Sequence, residues 1–133
     1  MNEDVSGCKT LLYMKNILKE KSFAFALRII KLYKFLIENK KEYVLSKQIL
    51  RSGTSVGAMI REAKNAESKM DFVHKLAIAQ KECDESLYWM ELLVQSDYIS
   101  QEAFESVSAE AEQVLKMIKS AILTTKRNIS TKK

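Results

Sequence analysis

The sequence predicts an all-α fold, an antiparallel up-down-up-down four-helix bundle. Three observations carry this. Proline is absent from all 133 residues, and two of the three glycines fall in the single stretch 52–58, so little interrupts helix. Apolar or small residues recur at alternating steps of three and four in four segments, the pattern of a helix packed at a shallow angle. The connections between those segments are short, which favours antiparallel neighbours. A chain of this length makes one domain with a real core.

Residues 1–13 carry no helical signal. Met14 is a candidate internal start, which would leave residues 1–13 as an added extension, and the expected division of the chain is a poorly ordered extension at 1–15, a bundle domain at 16–128 and a polar tail at 129–133. Ser22 is the expected cap of helix 1, with Phe23, Ala26, Leu27, Ile30, Tyr33 and Ile37 as its core stripe. Phe25, Ile29, Leu32 and Phe35 broaden that stripe. Residues 39–43 are polar and short enough for a helix–helix connection.

Ser46 is the expected cap of helix 2, whose seam runs Ile49, Gly53, Val56, Ile60, Ala63. The run 52–58 is unusual inside a seam, because each glycine costs about 1 kcal/mol relative to alanine in a helix interior. Gly53 and Gly57 share a face, and small residues occupy the neighbouring faces. Close approach by other helices on more than one side is the expected return. The alternative is a break between two helices, which the absence of proline disfavours.

Ser68 opens helix 3 in an imperfect capping box with Asp71. Its expected seam is Val73, Leu76, Gln80, Cys83, Leu87, Met90 and Val94. Phe72, Ile78, Tyr88, Trp89 and Leu92 fall outside it. Helix 3 is therefore apolar over more than one stripe, which points to a second buried face and hence a partner subunit. Ser100 caps helix 4, with Glu102 and Glu105 near its positive end and a seam of Phe104, Val107, Ala111, Val114, Ile118, Ala121 and Thr125. The tail after Arg127 is polar and expected to fray.

Charge is uneven. The first fifty residues hold ten Lys or Arg against five Asp or Glu, the next fifty are mildly acidic, and the whole chain carries a formal net charge of +5. An up-down-up-down order puts the start of helix 1 and the end of helix 4 at one pole. Lys15, Lys19 and Lys21 then gather near Lys126, Arg127, Lys132 and Lys133, and the candidate contacts to RNA or DNA are Lys15, Lys19, Lys21, Arg28, Lys126 and Arg127. A solvated lysine-rich end is the plainer reading, since aromatics for base stacking are not interleaved apart from Tyr13 and Tyr33.

Several chemistries are disfavoured. His74 and Cys83 are the one obvious nucleophile–base pair, and nine residues of helix turn them to opposite sides. Cys83 is expected as a small buried hydrophobe, His74 at a surface. One histidine does not supply the ligand set of a di-iron bundle or a zinc site. The glycines lack the lysine and strand of a phosphate loop. No apolar run approaches the length needed to cross a bilayer, no signal-peptide pattern is present, and two cysteines indicate no disulfide framework. No catalytic residue, cofactor, metal or small-molecule substrate is therefore expected, and a cytoplasmic setting is the default. Gln48, Arg51, Ser55 and Glu62 lie along one flank of helix 2, facing the acidic residues Glu82, Asp84 and Glu85 of helix 3. An Arg51–carboxylate pair there would fix helix register. A ligand site on the Arg51/Glu62 flank would require an internal pocket.

The run Ser46-Lys-Gln-Ile-Leu-Arg-Ser-Gly-Thr-Ser-Val-Gly-Ala, with Ile60-Arg-Glu-Ala, Ser68-Lys-Met-Asp-Phe, Leu76-Ala-Ile-Ala and the stretch 85–93 around Tyr88-Trp89, resembles the bacterial four-helix-bundle family also called the 23S rRNA-intervening sequence protein family. The segment Lys21-Ser-Phe-Ala-Phe-Ala-Leu-Arg-Ile resembles it too, and the likeness spans residues 16–127. Met59 departs from the asparagine usual in that family. The resemblance implies an antiparallel bundle that assembles into a homo-oligomer, a pentameric ring, and brings no catalytic residues. The family name records a genomic association, not RNA binding. The readings that follow are a self-assembling interaction scaffold first, and nucleic-acid binding by basic ends repeated around the ring second. The interface candidates are Arg51, Ser52, Gly53, Ser55, Gly57, Glu62, Phe72, Glu85 and Trp89.

Overall fold

In a computed structural model of the chain, which describes residues 3–131 and the side chains of residues 9–130, four helices follow one another: α1 (Glu3–Asn39), α2 (Leu45–Lys64), α3 (Lys69–Gln95) and α4 (Gln101–Thr131). Each helix packs on the next in sequence, and α1 closes the ring against α4. This is the predicted up-down-up-down bundle.

The helices differ in length. At 1.5 Å per residue, the 20 residues of α2 span about 30 Å and the 37 of α1 about 55 Å. Residues 12–19 of α1 lie level with the α2–α3 turn, where they share a pocket with Arg61, Lys64, Asn65 and Phe72. The start of α1 and the end of α4 therefore run on past the shorter pair. Their antiparallel register is marked by Met14 and Ile17 beside Met117 and Ser120, and by Arg28 beside Ser106.

The stretch read as non-helical up to residue 13 is helix from Glu3, and Ser22 is no cap but a fully buried residue inside α1. The reason is packing: Leu11 and Met14 pack against the core ahead of Leu18, so the seam extends the helix where local signals do not. At the other end α4 continues to Thr131, beyond the point where fraying was expected. Lys132 and Lys133 lie outside the described residues.

The inward face of α1 also differs from expectation. Leu18, Ser22, Phe25, Ile29, Leu32 and Leu36 are buried, while Phe23 and Leu27 are 56% and 48% exposed. Both stripes have helical spacing, so periodicity alone does not choose between them. In α3 the buried set is Phe72, Val73, Leu76, Ala79, Cys83, Ser86, Met90 and Leu93. Gln80, Leu87 and Val94 sit at its edge, one position off the seam. The seam of α2 is as predicted, and that of α4 is too, except that Phe104 is only half-buried.

Helix ends follow capping chemistry. Ser68 accepts the Asp71 N–H at 3.0 Å, and Asp71 accepts the Glu67 N–H at 3.1 Å. Ser100 accepts the Ala103 N–H at 3.1 Å. Ser46 does not cap α2. Its hydroxyl is buried, and the work falls to Glu42, whose carboxylate accepts the N–H groups of Val44, Leu45 and Ser46 at 3.2, 3.0 and 2.7 Å. The α3 C-terminus closes with Asp97 in the left-handed region (φ 63°), the Tyr98 N–H bonding Leu93 and the Asp97 N–H bonding Val94.

Candidate functional site

The small-residue run of α2 is continuous helix, and its members face two neighbours. A β-carbon on Gly53 would come within 2.7 Å of Ile29, and one on Gly57 would meet Ser22 of the same helix. On the other side, buried Ser86 of α3 donates to Ser52 at 2.9 Å. Ser55 donates to the Arg51 carbonyl and Thr54 to the Leu50 carbonyl, so both hydroxyls are satisfied within α2.

Between α2 and α3 the polar flank forms three ion pairs. Arg51 donates to both oxygens of Glu85 at 2.9 Å and to Glu82 at 3.1 Å. These carboxylates raise the Arg51 pKa above its ordinary value, Glu85 contributing most. Glu62 pairs with Lys75 at 3.3 Å. Arg51 and Glu62 are both about half exposed, so neither faces an internal pocket. Trp89 stacks edge-on against exposed Tyr88 at 5.1 Å between centroids, and its indole nitrogen is buried without an acceptor. Phe72 is buried, with the Lys15 ammonium 4.7 Å above its ring.

Along the outer α1–α2 groove, Phe23, Ala26 and Ile30 face Thr54, Gly57 and Ala58 across an open, largely apolar channel of about 440 Å³. Tyr33 and Ile37 continue the same helical row, half-buried. This row is the stripe that periodicity assigned to the interior. It forms a second apolar seam on the outside of the same helix.

The cations fall into separate groups. Lys15 and Lys19 face α2, where Arg61 and Lys64 complete a cluster. Lys21 is exposed on α1 about 120° round from Lys15. Arg28 lies off the pole, against α4, donating to Ser106 and pairing with Glu110 at 3.4 Å. Lys126 and Arg127 are exposed near the end of α4, on the pole shared with the start of α1. Sequence reasoning missed Arg61 and Lys64. The predicted topology carries the signal, since it sets the last turn of α2 beside the early turns of α1.

His74 is exposed and Cys83 fully buried, so they form no dyad. The Cys83 thiol donates to the Ala111 carbonyl at 3.3 Å, and burial, with lesser contributions from Asp84 and Glu112, pushes its pKa up to about 12. It stays a protonated thiol. Among the described residues, no group of three or more His, Cys, Asp or Glu is placed to hold a metal, and no helix is long and apolar enough to cross a membrane.

These features define an all-α antiparallel four-helix bundle with a second apolar seam, an acidic-basic α2–α3 flank and a cationic pole. The chain belongs to the 23S rRNA-intervening sequence protein family, whose model matches residues 14–120. It is also similar to a crystal structure of a protein of unknown function from the S23 ribosomal protein family of Bacteroides thetaiotaomicron. That likeness has 51% identity and a TM-score of 0.81, and covers 82% of this chain and 97% of the other. No curated protein matches the chain.

Proposed function

We propose that this protein is a non-enzymatic assembly module: copies share the outer seam of α1 and form a homo-oligomeric ring, a pentamer on the family resemblance, that serves as an interaction scaffold. The supporting observation is the α1–α2 groove. Phe23 and Leu27 are half-exposed beside a floor of Thr54, Gly57 and Ala58 that leaves room for a partner's side chains. The chain also carries a protruding aromatic elsewhere, Tyr88 on α3, 54% exposed. Groove on one side and knob on another make a head-to-tail contact, the kind that closes into rings of any number. Light scattering at micromolar concentration tests this. The expected mass is a multiple of 15.3 kDa, five-fold for the pentamer, and Phe23→Glu lowers it without loss of helical circular dichroism. A wild-type monomer refutes the reading.

A second reading is binding of RNA or DNA. It is favoured by Lys126 and Arg127, exposed near the pole where α4 ends, with Lys21 exposed further along at the middle of α1. Repetition around an oligomer would turn a weak patch into an avid one. Structured RNA should then bind with affinity that falls between 50 and 200 mM salt, as about three neutralised phosphates per copy require. Absence of salt-sensitive binding removes this reading.

A further inference from the structure

Beside the outer groove and the cations Lys21, Lys126 and Arg127, the α1–α2 pole holds a pocket of mixed apolar and cationic character. It is a cavity of about 270 Å³ whose apolar floor is Leu18, Ile60, Phe72 and Leu76. Around it stand four cations, Lys15 and Lys19 from α1 and Arg61 and Lys64 from α2, with the amides of Asn16 and Asn65. Among the described residues, no carboxylate lines it. The ion pairs of Arg28, Arg51 and Lys75 lie elsewhere on the bundle.

Two of these charges have a local explanation. Arg61 and Lys64 occupy the last turn of α2, where cations complement the helix dipole. That does not account for Lys15 and Lys19, which the bundle brings to the same mouth from another helix. Gathering four like charges is unfavourable without an anion between them. The Lys15 ammonium is further drawn inward over the Phe72 ring, which places a charge directly above the apolar floor.

We propose that this pocket binds a small phosphate monoester bearing an apolar group. The ring or short chain would rest on Ile60, Phe72 and Leu76, and the dianionic head would lie among Lys15, Lys19, Arg61 and Lys64. A volume just below the range of roughly 300–1,000 Å³ usual for ligand pockets sets the size class. Four cations and no acid favour a doubly charged head over a single carboxylate. Arg61 supplies the planar fork suited to phosphate oxygens, the lysines point charges.

Calorimetric titration of the full chain with phenyl phosphate, in whatever oligomeric form it adopts, tests the assignment. The expected result is saturable binding of one ligand per chain that weakens between 50 and 200 mM salt. Inorganic phosphate and benzoate should each bind at least about tenfold more weakly, and benzylammonium not at all. Lys15→Gln and Lys64→Gln should each weaken binding about tenfold, as loss of a charged hydrogen bond does. Neither residue lines the outer apolar groove, so light scattering should show their assembly unchanged. Thermal melts confirm that both variants fold. No saturable binding at low salt overturns the proposal. Equal binding of benzoate or benzylammonium, or unchanged affinity in both variants, overturns it as well.

Discussion

Gly53 and Ile29 touch so closely that a single added methyl group has no room: its carbon would lie 2.7 Å from Cγ1 and 2.8 Å from Cγ2 of Ile29. Ile29 is fully buried and β-branched, so its atoms nearest the backbone cannot swing aside. The α1–α2 spacing is therefore set by the missing side chain. Gly53→Ala gains about 1 kcal/mol in helix propensity and loses more to overpacking, for a net destabilisation of about 1–2 kcal/mol. Gly57 gives the contrast. Its added carbon would meet Ser22 no closer than 3.5 Å, an ordinary contact. Gly57→Ala should be neutral or stabilising by up to about 1 kcal/mol. The urea midpoint should fall for Gly53→Ala and hold or rise for Gly57→Ala.

Glu42 holds the start of α2 by itself. Its carboxylate accepts three successive N–H groups at the helix end where negative charge is favoured. Glu42→Ala should cost about 2 kcal/mol, the upper end for a lost cap. Ser46→Ala should cost far less, because the Ser46 hydroxyl finds no partner. A larger loss in Ser46→Ala than in Glu42→Ala, read from thermal unfolding, would reverse the assignment of the cap.

These two cases show what the sequence carries and what it hides. The four helices, the α2 seam, the Ser68 and Ser100 caps and the Arg51–carboxylate contact follow from spacing and local chemistry alone. The α1 face does not. Phe23, Ala26, Ile30, Tyr33 and Ile37 and the buried set Phe25, Ile29, Leu32 and Leu36 are both apolar at helical spacing, and only neighbours decide which turns inward. A helix apolar on two sides leaves its orientation to tertiary packing. Glu42 was hidden for a related reason: its cap works from outside the helix, through a loop whose fold includes Lys41 in the left-handed region. The pocket cations divide likewise. Lys15 and Lys19 stand out by charge, whereas Arg61 and Lys64 gain meaning only once α2 is laid antiparallel to α1.

Asp97 sits in the left-handed region at the C-terminus of α3, at the position usually given to glycine. Its negative charge also faces the negative end of the helix dipole. Asp97→Gly removes both penalties and retains the bonds from residues 97 and 98 to Val94 and Leu93, which use backbone atoms. The expected gain is about 1 kcal/mol, seen as a higher urea midpoint at unchanged slope.

The Arg51–Glu85 contact is well formed but exposed, with half of the arginine side chain in solvent. Exposed pairs are worth about 0.2–1 kcal/mol, so a double-mutant cycle of Arg51→Ala and Glu85→Ala should give a coupling in that range that shrinks in 1 M salt. A coupling above about 2 kcal/mol would mean that the flank is dry in the assembled protein, covered by another copy.

Cys83 makes stability depend on pH at the alkaline end. The folded thiol is held near a pKa of 12 by burial, against 9.0 ordinarily. Below pH 9 both folded and unfolded thiols keep their proton, and the group makes no difference. Between pH 9 and 12 the unfolded chain ionises and the folded one does not, so stability falls as pH rises, by about 1.4 kcal/mol per unit at most. Tyrosines and lysines also titrate in this window, so the informative quantity is the difference between wild type and Cys83→Ala. The variant loses a buried group and a thiol–carbonyl bond, about 1 kcal/mol at pH 7. That deficit should shrink and then reverse as pH passes 9. In a Cys8→Ser background, native Cys83 should react with a thiol reagent no faster than the protein opens. Rapid labelling of folded protein at pH 8 would show that α3 and α4 separate readily around Ala111, and that the core at this point is loose.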